Sequence, residues 1–174
     1  MAALHCILAV HQVYSPTVPI TLYYIAIHSC MSPDISSAYH TFLQISGNIV
    51  HRGSTVLGVN KAGWTLHSAL HTARPDINCI VHVHLPDVIA VSCIRAGLLP
   101  VSPEANELLI SSGVRYHEYR GILVQDSEKE SIQTDLGPKA KILFLRNHGV
   151  AVAASDVPEA WYLLKRVVAA CQTQ

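Results

Sequence analysis

The chain has 174 residues, half of them hydrophobic and 14% charged, which is typical of one globular domain. Its 12 Lys and Arg residues balance its 12 Asp and Glu residues, so charge gives no reason to expect binding to nucleic acid or to an anionic membrane. The five cysteines are odd in number and form no CxxC pair, which favours a reduced, cytoplasmic protein over a disulfide-stabilised secreted one.

Residues 3–31 are apolar, but Pro16 and Pro19 interrupt them, and residues 1–40 show neither a strand period nor a helix period. A transmembrane helix needs about 20 uninterrupted apolar residues. A signal peptide begins with basic residues, whereas the first basic residue here is Arg52. We therefore predict no membrane span and no signal peptide. Residues 1–40 are expected to be an atypical, poorly ordered segment in front of one domain over residues 41–174.

From residue 41 onward, strand-like and helix-like segments alternate. The first predicted elements in chain order are two strands around a Gly47-Asn48 turn in 41–55, a helix over 61–73 and a buried strand over 79–84. A helix from Pro86 to Gly97, a short helix after Pro103, and strands over 114–119 and 122–124 follow. The last predicted elements are a surface helix over 127–137, strands over 141–147 and 150–154, and a helix from Asp156. This mixture predicts a layered α/β domain, and the chain lacks the glycine fingerprint of nucleotide-binding folds.

The last helix carries the clearest start signal in the chain. Asp156 with Glu159 three residues later forms a capping box. Helical spacing then predicts one inner stripe, made of Val157, Ala160, Trp161, Leu164, Val168 and Cys171.

Histidines mark the ends of two predicted strands. His82 and His84 are two residues apart on a strand, so their side chains share one face about 7 Å apart at Cα, within reach of one ion. His148 follows the other apolar strand, in the stretch LRNHGV, and is the best third candidate. Three histidines suit a zinc-like ion with an open coordination position. Ordinary packed histidines remain the competing interpretation in a chain with 11 of them.

A second histidine pair, His67 and His71, has the i, i+4 spacing that can bind zinc on a helix. The glutamate that accompanies such pairs is missing between them, so packed or surface histidines are the favoured interpretation.

Six motifs then carry a family resemblance over about three quarters of the chain. They are GNIVHRGSTVLGVNKAGWTLHSA, ARPDINCIVHVH, GLLPVSPEA, YHEYRGILV, LGPKAK and ILFLRNHGV. With these motifs the chain resembles the class II aldolase/adducin domain family, and most nearly the adducin head domain. The resemblance implies a three-layer α/β/α sandwich around a largely antiparallel central sheet, with the N-terminal part of the fold incomplete.

The resemblance also assigns roles to single positions. In the aldolase members three histidines hold a zinc ion, and the matching residues here are His82, His84 and His148. Those enzymes carry a catalytic glutamate at the start of the preceding helix, where this chain has Gly63. Because glycine has no side chain that can move a proton, the general base is expected to be missing.

The phosphate-binding groups of those enzymes also lack counterparts. Two serines that hold the substrate phosphate correspond to Lys61 and Ala62. The turn Gly47-Asn48 looks like the Gly-Asn phosphate turn of the aldolases, but it lies too close to Gly63 in sequence to be that turn.

These correspondences imply a non-enzymatic head domain that self-associates in a membrane skeleton of spectrin and actin. Its expected partners are further copies or adducin-like subunits, in the cytoplasm and at the cytoskeleton near the plasma membrane, with zinc as the one cofactor to test. One alternative is a metal-dependent aldolase or epimerase that acts on a small sugar phosphate and uses His117 as its base. The other is a fragment without an independent role.

Overall fold

The computed structural model describes the backbone of residues 5–15, 18–29, 41–44, 46–51, 59, 61–118 and 126–174, and the side chains of 46–49, 59, 61–118 and 128–174. The strands are β1 (His5–Ser15), β2 (Val18–Ser29), β3 (Thr41–Gln44), β4 (Ile49–His51), β5 (Cys79–Val83), β6 (Val114–His117), β7 (Ile142–Leu145) and β8 (Gly149–Ala154). The helices are α1 (Lys61–Ala73), α2 (Pro86–Cys93), α3 (Pro103–Glu107), α4 (Asp126–Leu136) and α5 (Val157–Thr173), and one π-helical turn spans Leu108–Ser112.

The described strands form one sheet in the order β4-β3-β2-β1-β5-β8-β7-β6. Neighbouring strands run antiparallel throughout, except that β6 and β7 are parallel. The prediction of a largely antiparallel central sheet is confirmed.

Helices cover both faces of this sheet, which confirms the three-layer arrangement. Alternation along the strands separates two cores, because neighbouring strand residues point to opposite faces. On one face α1 and α4 pack over a cluster that includes Leu66, Leu70, Ile80, Ile132, Leu136, Leu143, Leu145, Ala151 and Ala153. On the other face α2, α3 and α5 pack over a cluster that includes Val81, Val83, Val88, Leu108, Phe144, Val150, Leu164 and Val167.

The N-terminal strands differ from the prediction. The expectation of no regular element in residues 1–40 is wrong for residues 5–15 and 18–29. They form β1, which pairs with β5, and β2, which pairs with β1. Interior strands read as continuous apolar runs without the period of two that marks a half-buried strand, so the periodicity test missed them. The boundary at residue 40, the poor ordering and the incompleteness of the fold's N-terminal part stay predictions.

Most of the other predicted elements lie within a few residues of the observed ones. The helix predicted from Pro86 to Gly97 ends earlier, at Cys93, and Gly97 instead adopts a φ of 71° against the hydroxyl of Tyr116. The strand predicted over residues 122–124 lies outside the described residues, as do Tyr119 and the part of the 41–55 hairpin that follows His51.

The inner stripe of α5 is shifted by comparison with the prediction. The capping box is confirmed, since the side chain of Asp156 accepts a hydrogen bond of 2.8 Å from the backbone N–H of Glu159. Trp161, however, is 61% exposed, and the buried residues of this helix are Ala160, Leu163, Leu164, Val167, Ala170 and Cys171. Counting an aromatic residue as core by its hydrophobicity was wrong here, because α3 and β8 contact the adjacent face of the helix.

This difference can be measured as stability. We expect Trp161→Ala to change the free energy of unfolding by no more than about 0.5 kcal/mol, as for other exposed positions. Leu164→Ala, at a site 6% exposed, is expected to cost about 2–5 kcal/mol because it leaves a cavity. Urea titration of both variants tests this, and a larger loss for Trp161→Ala than for Leu164→Ala would contradict the packing described.

Candidate metal centre

Three histidines from two neighbouring strands converge at one end of the sheet. The Nε2 atom of His148 lies 3.2 Å from Nε2 of His82 and 2.8 Å from Nε2 of His84. One ligand nitrogen from each residue falls within 4.8 Å of the other two. The proximity predicted for these three residues from the ends of their strands is confirmed.

Strand pairing produces this convergence. In the antiparallel pair of β5 and β8, His82 lies opposite Ala151, and Val83 lies opposite Val150. His82 has the parity of Ile80, which packs on the side of α1, so its ring lies between the sheet and that helix. His84 follows β5 by one residue with the same parity, and His148 directly precedes β8.

A tight turn brings His148 back over the other two rings. Asn147 adopts a φ of 59°, and the backbone N–H of His148 donates to the carbonyl of Leu145 over 3.1 Å. A Cβ atom on Gly149 would collide with the carbonyl oxygen of Val83 and press on the ring of His84. The close approach of β8 to the end of β5 therefore requires glycine at this position.

The protonation of His82 is determined by its hydrogen bond. Nδ1 of His82 lies 2.9 Å from the carbonyl oxygen of Val150, which can only accept, so Nδ1 carries the proton in the neutral ring. The lone pair of Nε2 therefore points toward His148. Burial lowers the pKa of His82 to about 3, with further lowering by His84 and His148. Burial and then His84 lower the pKa of His148 to about 4.

This donor set fits a metal ion. An imidazole held by a backbone carbonyl through its other nitrogen is the usual arrangement of a histidine ligand. The lowered pKa values keep His82 and His148 neutral at pH 7, with lone pairs for an ion. The partial exposure of His84 and His148 leaves room for a fourth ligand. Among the described side chains, no Asp, Glu or Cys joins the three histidines. An ion held by His82, His84 and His148 would polarise a bound oxygen or stiffen the end of the sheet.

The helix beside the triad offers no acid in its first turn. Gly63 is buried in α1 and lies one helical turn before His67, on the same face of the helix. Lys61 is exposed and Ala62 is half-buried. The described part of α1 therefore contains no carboxylate that could act as a base toward the triad.

His67 and His71 are core residues, as the favoured interpretation of that pair held. His67 is fully buried, and neither of its ring nitrogens has a hydrogen-bond partner among the described residues. Burial, then His71 and His82, lower the pKa of His67 well below its usual value. Nδ1 of His71 lies 3.0 Å from the carbonyl of Ile77, and burial lowers the pKa of His71 to about 4.

His117, the residue considered as an alternative base, is not part of the histidine cluster. Its ring is 1% exposed, with Nδ1 at 2.7 Å from Asp135 Oδ2 and Nε2 at 3.0 Å from Glu128 Oε1, both on α4. Each ring nitrogen therefore faces a carboxylate of α4 and is not directed at the three clustered histidines. Its role is to join β6 to α4. Sequence spacing could not reveal this, because the two acids come from a separate helix.

The chain belongs to the family described as "Class II Aldolase and Adducin N-terminal domain", whose model matches residues 23–174. Alpha-adducin of Rattus norvegicus is 54% identical over 132 residues, which cover 76% of this chain and 18% of that protein. The chain thus spans about a fifth of the length of the adducins it matches. The part of the chain that the structure describes contains no helix long and apolar enough to cross a membrane.

Solved structures give the same fold. An aldolase II superfamily protein from Pseudomonas syringae superposes with a TM-score of 0.84 at 34% identity, covering 97% of this chain and 64% of that one. L-fuculose 1-phosphate aldolase from Glaciozyma antarctica superposes with a TM-score of 0.75 at 20% identity, over 97% of this chain and 62% of that one, which is a likeness of fold alone.

The metal-binding capacity of the triad can be tested directly. We expect the purified chain to bind one zinc ion, and His148→Ala to lose it, because two nitrogens alone make a weak site. His71→Gln is a matched control, since it alters a buried histidine outside the triad. Metal analysis after dialysis against limiting zinc measures the stoichiometry. Equal zinc retention by His148→Ala and the unmodified chain would contradict this site.

The lowered pKa values also predict how stability depends on pH. His71 and His82 titrate near 6.5 when unfolded but near 4 and 3 when folded, so between these limits the unfolded chain binds more protons. Stability of the metal-free chain should therefore hold above pH 7 and fall as the pH drops from about 6.5 toward 4, by at most about 1.4 kcal/mol per pH unit for each histidine. Urea midpoints measured with a chelator present test this. The slope should be shallower in His71→Gln, and a midpoint independent of pH in the unmodified chain would refute the assignment.

Proposed function

We propose that this chain is a non-enzymatic, adducin-like head domain that acts by self-association in the assembly of a membrane skeleton. In this proposal His82, His84 and His148 hold a zinc ion that stabilises the end of the sheet. The ion has no catalytic role, and the site of action is the cytoplasmic cytoskeleton, at the inner face of the plasma membrane.

The main support for the proposal is that residue 63, where the family resemblance expects a catalytic base, is a glycine. A general base must come within about 2.6–3.2 Å of the proton that it abstracts. The family's base stands at the position of Gly63, which has no side chain, and the described residues bring no carboxylate into the histidine cluster. His117 cannot substitute, because its two nitrogens face Asp135 and Glu128. A metal site without a base supports a structural role.

The cytoskeletal part of the proposal rests on sequence similarity to the adducins. The adducins each match over 132 residues, with 54% identity in the alpha form and 42% in the human beta form. The adducin-related protein of Schizosaccharomyces pombe is 43% identical over 130 residues. Each relative is longer than this chain, so contacts with spectrin and actin are proposed for assemblies of which this chain forms a part.

Self-association is the property to measure first. We expect the 174-residue chain to form dimers or larger species, alone or mixed with the matching segment of alpha-adducin, because one small domain needs a partner surface to act as an assembly module. Light scattering coupled to size exclusion, over a concentration series, gives the mass. A monomer at every concentration and in the mixture would refute the proposal.

A metal-dependent lyase or epimerase is the second candidate. The observation that favours it is the partial exposure of His84 and His148, which leaves a coordination position open to a small ligand. If this candidate were correct, the zinc-loaded chain would cleave a sugar phosphate such as L-fuculose 1-phosphate, and a chelator would abolish the activity.

We expect no such cleavage. Gly63→Glu should also be inactive, because Lys61 and Ala62 offer no counterpart of the two phosphate-holding serines. The assay measures aldehyde release with and without chelator, in samples whose zinc content has been determined. Chelator-sensitive turnover by the unmodified chain would establish the second candidate in place of the first.

A further inference from the structure

A groove of about 670 Å³ lies far along the sheet from the histidine cluster, beside β6. One wall is the strand itself, from Val114 to Tyr116. The other wall is the C-terminal turn of α4 with the Gly137-Pro138 bend that follows it. Neither the metal centre nor the family resemblance assigns any role to this groove.

The strand in this groove is the edge of the sheet. Among the described strands, β6 pairs with β7 alone, on one side. The carbonyls of Gly113 and His117 accept hydrogen bonds from β7 and the residue that follows it, over 3.2 and 2.8 Å. In a parallel ladder alternate residues direct their backbone groups to the same neighbour. The N–H and C=O groups of Val114 and Tyr116 therefore point away from the sheet, and no described residue bonds to them.

The groove is rigid on its helix side. The guanidinium of Arg74 donates to the carbonyls of Gly137 and Ala140, over 3.3 and 3.0 Å. The amide of Gln133 donates to the carbonyl of Ala69 over 3.0 Å and so ties α4 to α1. The pair of His117 with Asp135 joins α4 to the strand itself. A ligand would thus meet a preformed slot, which lowers the entropic cost of binding.

One cationic side chain, that of Arg115, lines the groove at the edge strand. Arg115 shares its face of β6 with His117, lines the groove and is exposed. Within the described residues, no acidic side chain forms an ion pair with it and no hydrogen bond from its guanidinium is found. Asp135, on the opposite wall, is occupied by His117 through Oδ2. A carboxylate brought to the strand edge would therefore meet an available guanidinium.

We propose that this groove binds an extended peptide segment, which adds as a strand to the outer edge of β6 and places a Glu or Asp side chain against Arg115. Backbone bonds to Val114 and Tyr116 supply affinity without regard to sequence, and the pair with Arg115 supplies selectivity. A second copy of this chain is a poorer occupant. Two-fold pairing of β6 with itself would bring Arg115 close to its own copy, and like charges facing each other across a strand pair are destabilising.

The test uses three acetylated nonapeptides of alternating Thr and Val that carry Glu, Gln or Lys at the central position. Each is titrated into the 15N-labelled 174-residue chain. We expect the Glu peptide to shift the amide signals of Val114 and Tyr116 and to slow their hydrogen exchange. It should bind about tenfold more tightly than the Lys peptide, as a charge-assisted pair implies.

Two variants identify the contact. Arg115→Glu should reverse the order of peptide affinities, so that the Lys peptide binds more tightly than the Glu peptide. Arg95→Glu is the matched control, because it makes the same charge change at an exposed arginine away from the groove and should leave the order unchanged. Circular dichroism confirms that both variants are folded.

Three outcomes would overturn the proposal. The first is that no peptide protects the amides of Val114 and Tyr116. The second is that Arg95→Glu reverses the preference as Arg115→Glu does, since binding would then follow net charge alone. The third is concentration-dependent protection of the two amides without peptide, which would show that a second copy of the chain occupies the edge.

Discussion

The contact between the start of β8 and the end of β5 determines where the three histidines meet. Gly149 approaches the carbonyl of Val83 so closely that a side chain at that position would collide with it. This contact sets the register that places His82 opposite Ala151, and it lets the turn at Asn147 bring His148 back over the strand end. If the register slipped by one residue, His82 would move to the opposite face of the sheet, into the core under α5, and the cluster would not form.

The three histidines and Gly63, the position at which the family resemblance expects a base, lie in different layers of the fold. His82, His84 and His148 are held by two paired strands, whereas the position of the family's base, Gly63, is on α1. Replacing a carboxylate by glycine on the helix alters neither the register of β5 against β8 nor the hydrogen bond of His82 to Val150. The geometry of the three histidines is therefore independent of which side chain stands at position 63, because the two depend on separate contacts.

The sequence predicted the features that depend on short-range pattern. The helix at 61–73, the cap at Asp156 and the shared face of His82 and His84 follow from spacing alone. The features it missed depend on what packs alongside. The carboxylates around His117 come from another helix, and the exposed position of Trp161 depends on how α5 rests on the sheet. Residues 5–15 and 18–29 carry no alternation, although they form β1 and β2 in the interior of the sheet, because interior strands need none.

The three histidines differ in what keeps them in place. His82 is 3% exposed and donates to the carbonyl of Val150, so burial and hydrogen bonding account for it without any ion. Nε2 of His148, however, lies 2.8 Å from Nε2 of His84 and 3.2 Å from that of His82, whose proton is on Nδ1. A single proton on Nε2 of His148 can form a good hydrogen bond to only one of the two neighbouring Nε2 atoms. It leaves the other contact of His148 without that hydrogen bond. An ion held by His82, His84 and His148 would accept a lone pair from each of the three nitrogens. The spacing of His84 and His148 around His82 therefore favours a metal site more than the presence of His82 itself does.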